Sequence, residues 1–115
     1  LLLGTMMEGL AEATLMAESS GLATETFLEV VGAGALACPL FKIKEQMLIT
    51  DSYPPQFPFR HMAKDMQYVV EQASHTGSSL PVASRLAELF DPHAPAALLD
   101  QDFAAVKTLL KQSKP

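Results

Sequence analysis

The stretch from Phe57 to Ala73, "FPFRHMAKDMQYVVEQA", carries the clearest helical pattern in the 115-residue chain. Its apolar side chains recur at steps of three and four residues and form one stripe: Phe59, Met62, Ala63, Met66, Val69, Val70 and Ala73. At about 100° per residue, this stripe covers roughly 120° of a helix surface. The stretch therefore predicts a helix that begins at Phe59 and packs through one face.

Three basic residues, Arg60, His61 and Lys64, fall on the opposite face, in the first turns of this predicted helix. A helix N-terminus already holds about half a positive charge, and Arg60 and Lys64 repel each other at i,i+4 spacing. One interpretation is a solvated polar face. The other is an anion site, in which the bases, the backbone N–H groups and the helix dipole converge on a phosphate. The spacing alone leaves both open.

Three further helices are predicted ahead of this stretch. Residues 1 to about 19 are apolar on most of the helix surface, which indicates a buried helix or one that meets a partner. Gly21 is expected to end it, and Thr24 to cap a short second helix. Pro39 is expected to start the third. A loop at 51–58 follows, and its three prolines predict that it is ordered and not helical.

The C-terminal part is also predicted to be helical. Gly77 is expected to end the central helix, Pro81 to open the next, and "DPHAPAA" to form a turn-rich connection. Asp100 or Asp102 is expected to cap the last helix, and "SKP" to form a tail. No alternating strand pattern and no internal repeat is found in the sequence. We therefore predict an all-α fold with about six helices.

The composition of the chain argues against several classes of function. The chain has the usual length of one domain, is 49% hydrophobic and 18% charged, and carries a formal net charge of -5. An acidic balance argues against a nucleic-acid surface, and no apolar run approaches the ~20 residues of a membrane span. Because Cys38 is the single cysteine, no intrachain disulfide is expected, and an intracellular, cytoplasmic location is the default. We interpret Cys38 as an unreactive thiol.

Motifs for enzyme chemistry are scarce. His61, His75 and His93 lack the spacing of a zinc site, so no metal is expected. The serines lie at helix ends or in loops, where capping and turn formation explain them. Glu8 and Glu12 share one helix face, and we interpret them as a solvated polar strip. The chain also opens inside an apolar helical pattern with no capping residue, which predicts a fragment of a longer polypeptide.

Four stretches together resemble the β-hydroxyacid dehydrogenase family: "LGTMMEGLAEATLMAESSGLATETFLEVV", "GALACPLFK", "SYPPQFPFRHMAKDM" and "LPVASRLAELF". The more specific pieces are "AEATLMAESSGL" and the F-x6-K-D pattern from Phe57 to Asp65. Within the family, the glyoxylate and succinic semialdehyde reductases are more similar than 3-hydroxyisobutyrate dehydrogenase. The resemblance runs from Leu1 to about Lys111 and covers only the C-terminal helical domain. It implies a bundle like the C-terminal domain of 6-phosphogluconate dehydrogenase.

The resemblance also implies a site. In this family an N-terminal Rossmann domain, absent from residues 1–115, holds NAD or NADP, and the helical domain closes the cleft over the cofactor. By resemblance, Lys64 reaches the cofactor, Phe57 lines the same cleft and Asp65 helps to order it. Arg60 and His61 are not fixed positions of the family, so their contribution is our own hypothesis.

No catalytic residue is assigned to this chain. The family's catalytic lysine lies in a G-x-x-x-K-x-x-N motif that would fall ahead of Leu1, and none of Lys42, Lys44 or Lys64 matches it. The segment "DPHAPAALLDQD" departs from the family because it is shorter and richer in proline. Any contact of this last loop with substrate is therefore not carried over.

The expected activity, that of the full-length protein, is NAD- or NADP-dependent reduction of a small aldehyde or a 2-oxo acid, or dehydrogenation of a 3-hydroxy acid. The apolar helices are expected to form a homo-oligomer, a dimer or a tetramer. One alternative is a catalytically inactive reductase-like module that oligomerises a scaffold or chromatin-associated protein. A third is an unrelated helical adaptor whose stripe binds a partner helix. A lysine at the catalytic position upstream would favour the enzyme.

Overall fold

The computed structural model describes residues 1–113, and this part of the chain is helical without strands. The elements are α1 Leu2–Ser19, α2 Thr24–Ala33, α3 Pro39–Thr50, α4 Phe59–Thr76, α5 Pro81–Leu89, α6 Ala96–Leu99, a 3-10 turn Phe103–Ala105 and α7 Val106–Gln112. The predicted all-α class is confirmed, with one short helix more than the six expected. That helix, α6, overlaps the end of the predicted connection "DPHAPAA". The predicted tail "SKP" extends beyond the described residues.

Helix α4 packs into the core through its predicted stripe. Its first half is buried, as predicted, through Phe59, Met62, Ala63 and Met66. The second half of the stripe is only half-buried, because fewer elements of the described chain cover that end of α4. Helix α1 approaches the stripe at Gly4, where an added Cβ would lie 3.2 Å from the sulfur of Met62. Glycine therefore lets α1 approach the Met62 side chain closely, and a larger residue would require that flexible side chain to shift.

The helix ends follow the predicted glycines and prolines. Gly21 and Gly77 have left-handed φ angles of 84° and 69°, which a residue without Cβ adopts at little cost. Pro39 and Pro81 each occupy the first position of their helix. The predicted cap at Thr24 is wrong, because Ala23 holds the cap position. The Thr24 hydroxyl is buried and instead donates a hydrogen bond of 2.5 Å to Glu18 Oε1.

The loop at 51–58 is ordered, as predicted, because its backbone pairs with the segment that leads into α7. Asp102 N–H donates to the Tyr53 carbonyl at 3.0 Å, and Phe103 N–H donates to the Phe57 carbonyl at 2.9 Å. An isolated antiparallel bridge between Pro58 and Asp102 continues this pairing. The backbone of the loop therefore has one defined conformation up to the start of α4.

Helix α1 packs against α2, α5 and α7 but leaves apolar side chains exposed. Met7, Leu10 and Ala11 are buried, whereas Leu2 and Met16 are 72% and 68% exposed. Among residues 1–113, no helix combines the length and the apolar character needed to cross a bilayer.

Glu8 on α1 is half-buried, so the polar strip of α1 is less solvated than predicted. Burial raises the pKa of Glu8 to about 7, and a hydrogen bond and charge repulsion from Glu12 act in the same direction, while Arg85 lowers it. The folded chain therefore binds a proton at Glu8 that the unfolded chain releases near the ordinary value of 4.5.

We expect stability to fall as the pH rises from about 4.5 to 7, since only the folded state must keep Glu8 protonated over that range. In Glu8→Gln this part of the pH dependence should disappear. The variant should match the parent near pH 5 and have a higher midpoint of thermal unfolding at pH 8. Thermal unfolding of both proteins at the two pH values measures this. If the variant unfolds at a lower temperature than the parent by the same amount at both pH values, titration of Glu8 is not the cause. Glu71→Gln, at an exposed position, is the control.

Candidate functional site: the polar face of α4

The side chains that the sequence singled out lie on one surface at the start of α4. Arg60, His61 and Lys64 are exposed, and Phe57, just ahead of the helix, is half-buried. The Phe57 ring meets the His61 ring edge-on, with centroids 5.7 Å apart and an interplanar angle of 67°. Lys64 follows His61 by three residues and so lies on the same side of α4. The structure therefore brings Phe57 and His61 into contact, with Lys64 one turn further along.

The three bases are not equivalent. Arg60 forms an ion pair with Asp100, at the end of α6. Its charge is thereby partly compensated, and its repulsion of Lys64 is reduced. Lys64 makes no ion pair within residues 1–113. In the predicted anion site, the Lys64 ammonium is therefore available to bind an anion, whereas Arg60 is already paired with Asp100.

Asp65 lies at the border between the polar face and the stripe, as the spacing predicts, and is half-buried. In the described part of the chain its carboxylate takes part in no ion pair. The ordering role of Asp65 therefore stays a prediction.

Phe57 is held at both its backbone and its ring. Its N–H donates to Asp102 Oδ2 at 3.0 Å, and its carbonyl accepts from Phe103 N–H at 2.9 Å. Its ring also packs edge-on against the Phe103 ring, with centroids 5.6 Å apart. Phe57 is thus fixed between the buried ring of Phe103 and the ring of His61 on the polar face of α4.

A buried ion pair behind this surface was not predicted from the sequence. Lys44 Nζ donates to Asp102 Oδ2 at 2.9 Å and to Gln56 Oε1 at 3.1 Å. Both charged side chains are almost fully buried. The Lys44 ammonium also lies 5.0 Å from the centroid of the Phe103 ring, a cation–π distance. Asp102 was predicted only as a helix cap, and it does accept a hydrogen bond from Ala104 N–H at 3.0 Å.

A second buried cluster centres on Lys107, which is also absent from the sequence prediction. Its ammonium donates to Glu18 Oε1 at 2.6 Å, Asp51 Oδ1 at 3.1 Å and the Leu48 carbonyl at 2.9 Å. Burial tends to raise the pKa values of Glu18 and Asp51, but hydrogen bonds from Lys107 and a neighbouring hydroxyl outweigh it, so both pKa values are lowered. Burial and the hydrogen bond to Asp51 raise the pKa of Tyr53. This cluster joins α1, α3 and α7 away from Phe57.

A groove of about 580 Å³ lies outside this surface, between α2 and α3. Its lining includes Val31, Cys38 and Phe41 but not Lys64. Within residues 1–113, no group of three or more His, Cys, Asp or Glu side chains is arranged to hold a metal ion.

The sequence matches a family model described as "NAD-binding of NADP-dependent 3-hydroxyisobutyrate dehydrogenase" over residues 1–110. The chain belongs to the 3-hydroxyisobutyrate dehydrogenase family. Membership agrees with the resemblance found in the sequence, since the matched region contains the F-x6-K-D pattern at Phe57, Lys64 and Asp65.

Relatives within the 3-hydroxyisobutyrate dehydrogenase family include known reductases. Glyoxylate/succinic semialdehyde reductase 1 of Arabidopsis thaliana is 35% identical over 114 residues, which cover 99% of this chain and 39% of that protein. The crystal structure of 3-hydroxyisobutyrate dehydrogenase from Salmonella typhimurium superposes with a TM-score of 0.85 at 25% identity, over 94% of this chain and 38% of that one. The chain thus spans about two fifths of the length of these relatives.

A different kind of relative is also similar. Cytokine-like nuclear factor N-PAC of Aedes aegypti is 29% identical over 87 residues, which cover 76% of this chain and 16% of that protein. Two differently named groups of proteins therefore share this helical domain.

Proposed function

We propose that this chain is the cofactor-facing helical domain of an NAD- or NADP-dependent reductase that acts on a small aldehyde or a 2-oxo or 3-hydroxy acid. The observation that carries the proposal is the exposed ammonium of Lys64, which forms no ion pair within residues 1–113 and lies on the same side of α4 as His61, the residue that contacts Phe57. The reductase and dehydrogenase relatives support the reaction class.

The residues present fit a dinucleotide. Lys64 offers an uncompensated positive charge to phosphate groups. Phe57 offers a half-buried aromatic ring that packs against the ring of Phe103, and aromatic rings pair favourably with other planar rings. Asp65 is placed to accept a hydrogen bond at the border of the same face. A bound nicotinamide would supply the hydride, and none of the residues 1–115 is assigned as the proton donor.

In this proposal Lys64 and Phe57 line one side of a cleft, and another part of the protein supplies the opposite side. We assign it to a dinucleotide-binding domain, in keeping with the two-fifths share of the reductase that the chain matches. The choice between NAD and NADP belongs to that domain, where the ribose is recognised.

Lys64→Ala in the full-length protein tests this proposal. Loss of a charge-assisted hydrogen bond to phosphate should raise the KM for the cofactor about 10- to 100-fold. Stability should change little, by about 0.5 kcal/mol or less, because Lys64 is exposed and unpaired within residues 1–113. Steady-state kinetics with NADH and NADPH, together with thermal unfolding, measure both effects.

Lys42→Ala is the matched control, since Lys42 is an exposed lysine on α3 paired with Glu45. Its cofactor kinetics should equal those of the parent. An unchanged KM in Lys64→Ala would remove Lys64 from the site and with it the placement of the cleft along α4.

A second candidate function is a catalytically inactive oligomerisation module, which the similarity to the N-PAC nuclear factor favours. Exposed apolar side chains such as Leu2, Met16 and Leu36 fit an oligomer in either case. A homo-oligomer, a dimer or a tetramer, is therefore part of both proposals. Light scattering of the full-length protein tests the oligomer, and absence of both cofactor binding and aldehyde reduction would favour the module.

A further inference from the structure

The carboxylate of Asp102 collects more hydrogen bonds than a helix cap needs. Its Oδ1 accepts from Ala104 N–H at 3.0 Å, which is the capping bond. Its Oδ2 accepts from Lys44 Nζ at 2.9 Å and from the backbone N–H groups of Gln56 and Phe57, each at 3.0 Å. The side chain is fully buried. Three of these four bonds therefore go to α3 and to the loop, not to the helix that Asp102 caps.

Capping alone does not account for a buried charge at this position. A neutral serine, threonine or asparagine caps a helix as well as aspartate does. Burying an aspartate and a lysine has a desolvation cost that their attraction only partly offsets. The two extra amide bonds are what a second carboxylate oxygen adds here, and both hold the chain at Gln56 and Phe57.

The path of the chain around Phe57 depends on these bonds. Asp102 makes hydrogen bonds to two points of the loop. Its N–H donates to the Tyr53 carbonyl at 3.0 Å, and its carboxylate accepts from the Phe57 N–H. The first amide of α4, that of Phe59, donates to the Gln101 carbonyl at 2.7 Å. The segment that ends in Asp102 thus fixes both the loop and the first residue of α4.

We propose that Asp102, with Lys44 as its counter-ion, is a positioning residue that sets the place of Phe57 and of the first turns of α4, and so of Lys64, for the cofactor. Asp102 touches neither cofactor nor substrate and acts through the amides of Gln56 and Phe57. The kinetic part of this inference rests on the proposed function. The holding of the loop does not.

Amide hydrogen exchange of Asp102→Ser, followed by NMR, tests the holding of the loop. Serine keeps one oxygen that can cap Ala104 N–H as Oδ1 does, and it has no second oxygen to accept from the Gln56 and Phe57 amides. Exchange of these two amides should accelerate about 10-fold or more, beyond any change at the core amide of Met66, which reports global unfolding. Equal acceleration at all three amides would overturn the proposal.

Glu18→Gln is the matched control, because it weakens the other buried ion cluster, at Lys107, without touching Gln56 or Phe57. Its exchange at those two amides should change no more than at Met66. If Asp102→Ser does not fold, the double variant Lys44→Met/Asp102→Ser replaces it. That variant has no uncompensated buried charge but still lacks the second carboxylate oxygen.

Cofactor kinetics of the full-length protein, measured well below the unfolding temperature, test the positioning role. Asp102→Ser should raise the KM for the cofactor by about 10-fold, and Glu18→Gln should leave it unchanged. If the loop amides exchange faster but the KM rises only in Lys64→Ala, the positioning role is overturned while the proposed function stands. If neither Lys64→Ala nor Phe57→Ala affects the KM, the proposed function and the positioning role fail together, and exchange still decides whether Asp102 holds the loop.

Discussion

Phe59→Ala is expected to lower the free energy of unfolding by about 3–5 kcal/mol, as for other buried phenylalanines replaced by alanine. Phe59 is 0% exposed, and its ring packs against the ring of Phe90 with centroids 5.0 Å apart. The change removes this contact and leaves a cavity under the first turn of α4. A domain of this size has about 5–15 kcal/mol of stability, so the loss is a large part of the total. Chemical denaturation with guanidinium chloride measures it.

Tyr68→Ala is the control for Phe59→Ala, because it removes an aromatic ring from the same helix at a position that is 60% exposed. Its effect should stay within about 0.5 kcal/mol. If the two variants lose similar amounts, the stripe of α4 is not what holds the core together.

Lys107→Met should lower the free energy of unfolding by about 3 kcal/mol, the lower end of the range for breaking a buried ion pair. The Lys107 side chain is 1% exposed, and its ammonium makes three hydrogen bonds, two of them to carboxylates. Glu18 and Asp51 are partly exposed, so water can solvate them after the change, which limits the cost. Methionine keeps most of the side-chain volume, and the effect therefore reports the lost charge.

Lys111→Met is a close control, since Lys111 also pairs with Asp51, at 3.6 Å, but is 59% exposed. We expect a loss of about 0.5 kcal/mol or less, as for most surface ion pairs. Urea denaturation of the two variants under one set of conditions measures the difference. Equal losses would mean that burial of the Lys107 ammonium adds nothing.

The parts of the fold that follow from local pattern could be predicted from the sequence. The period of the α4 stripe identified Phe59 and Met66 as core residues, and both are buried. Gly77 and Pro81 identified the ends of helices through the backbone angles they allow. The Thr24 cap was wrong because a tertiary partner, Glu18, competes for the hydroxyl.

The buried lysines could not be predicted with the same rules, because a charge is placed inside only if distant partners neutralise it. Lys44 and Asp102 are 58 residues apart in sequence, and Lys107 and Glu18 are 89 apart. A weaker signal was present: Lys44 is spaced at i+4 from Leu40 and at i−4 from Leu48, which places it on an apolar face of α3. A lysine on such a face indicates a buried partner without identifying it.

The candidate site shows the same division. Its location on the polar face of α4 follows from spacing, and the exposure of Lys64 agrees with it. The ion pair that engages Arg60 does not follow from spacing, because Asp100 reaches it from α6, 40 residues later in the chain. Whether Lys64, Phe57 and Asp65 bind a cofactor stays a prediction.

The two ion clusters also constrain how this domain can be made. Lys44 and Glu18 find their ionic partners far along the sequence, at Asp102 and Lys107. Before Asp102 has left the ribosome, α3 carries an unneutralised lysine on its apolar face and cannot complete its burial. Closure of the domain during synthesis therefore waits until the segment from Asp102 to Lys107 has emerged.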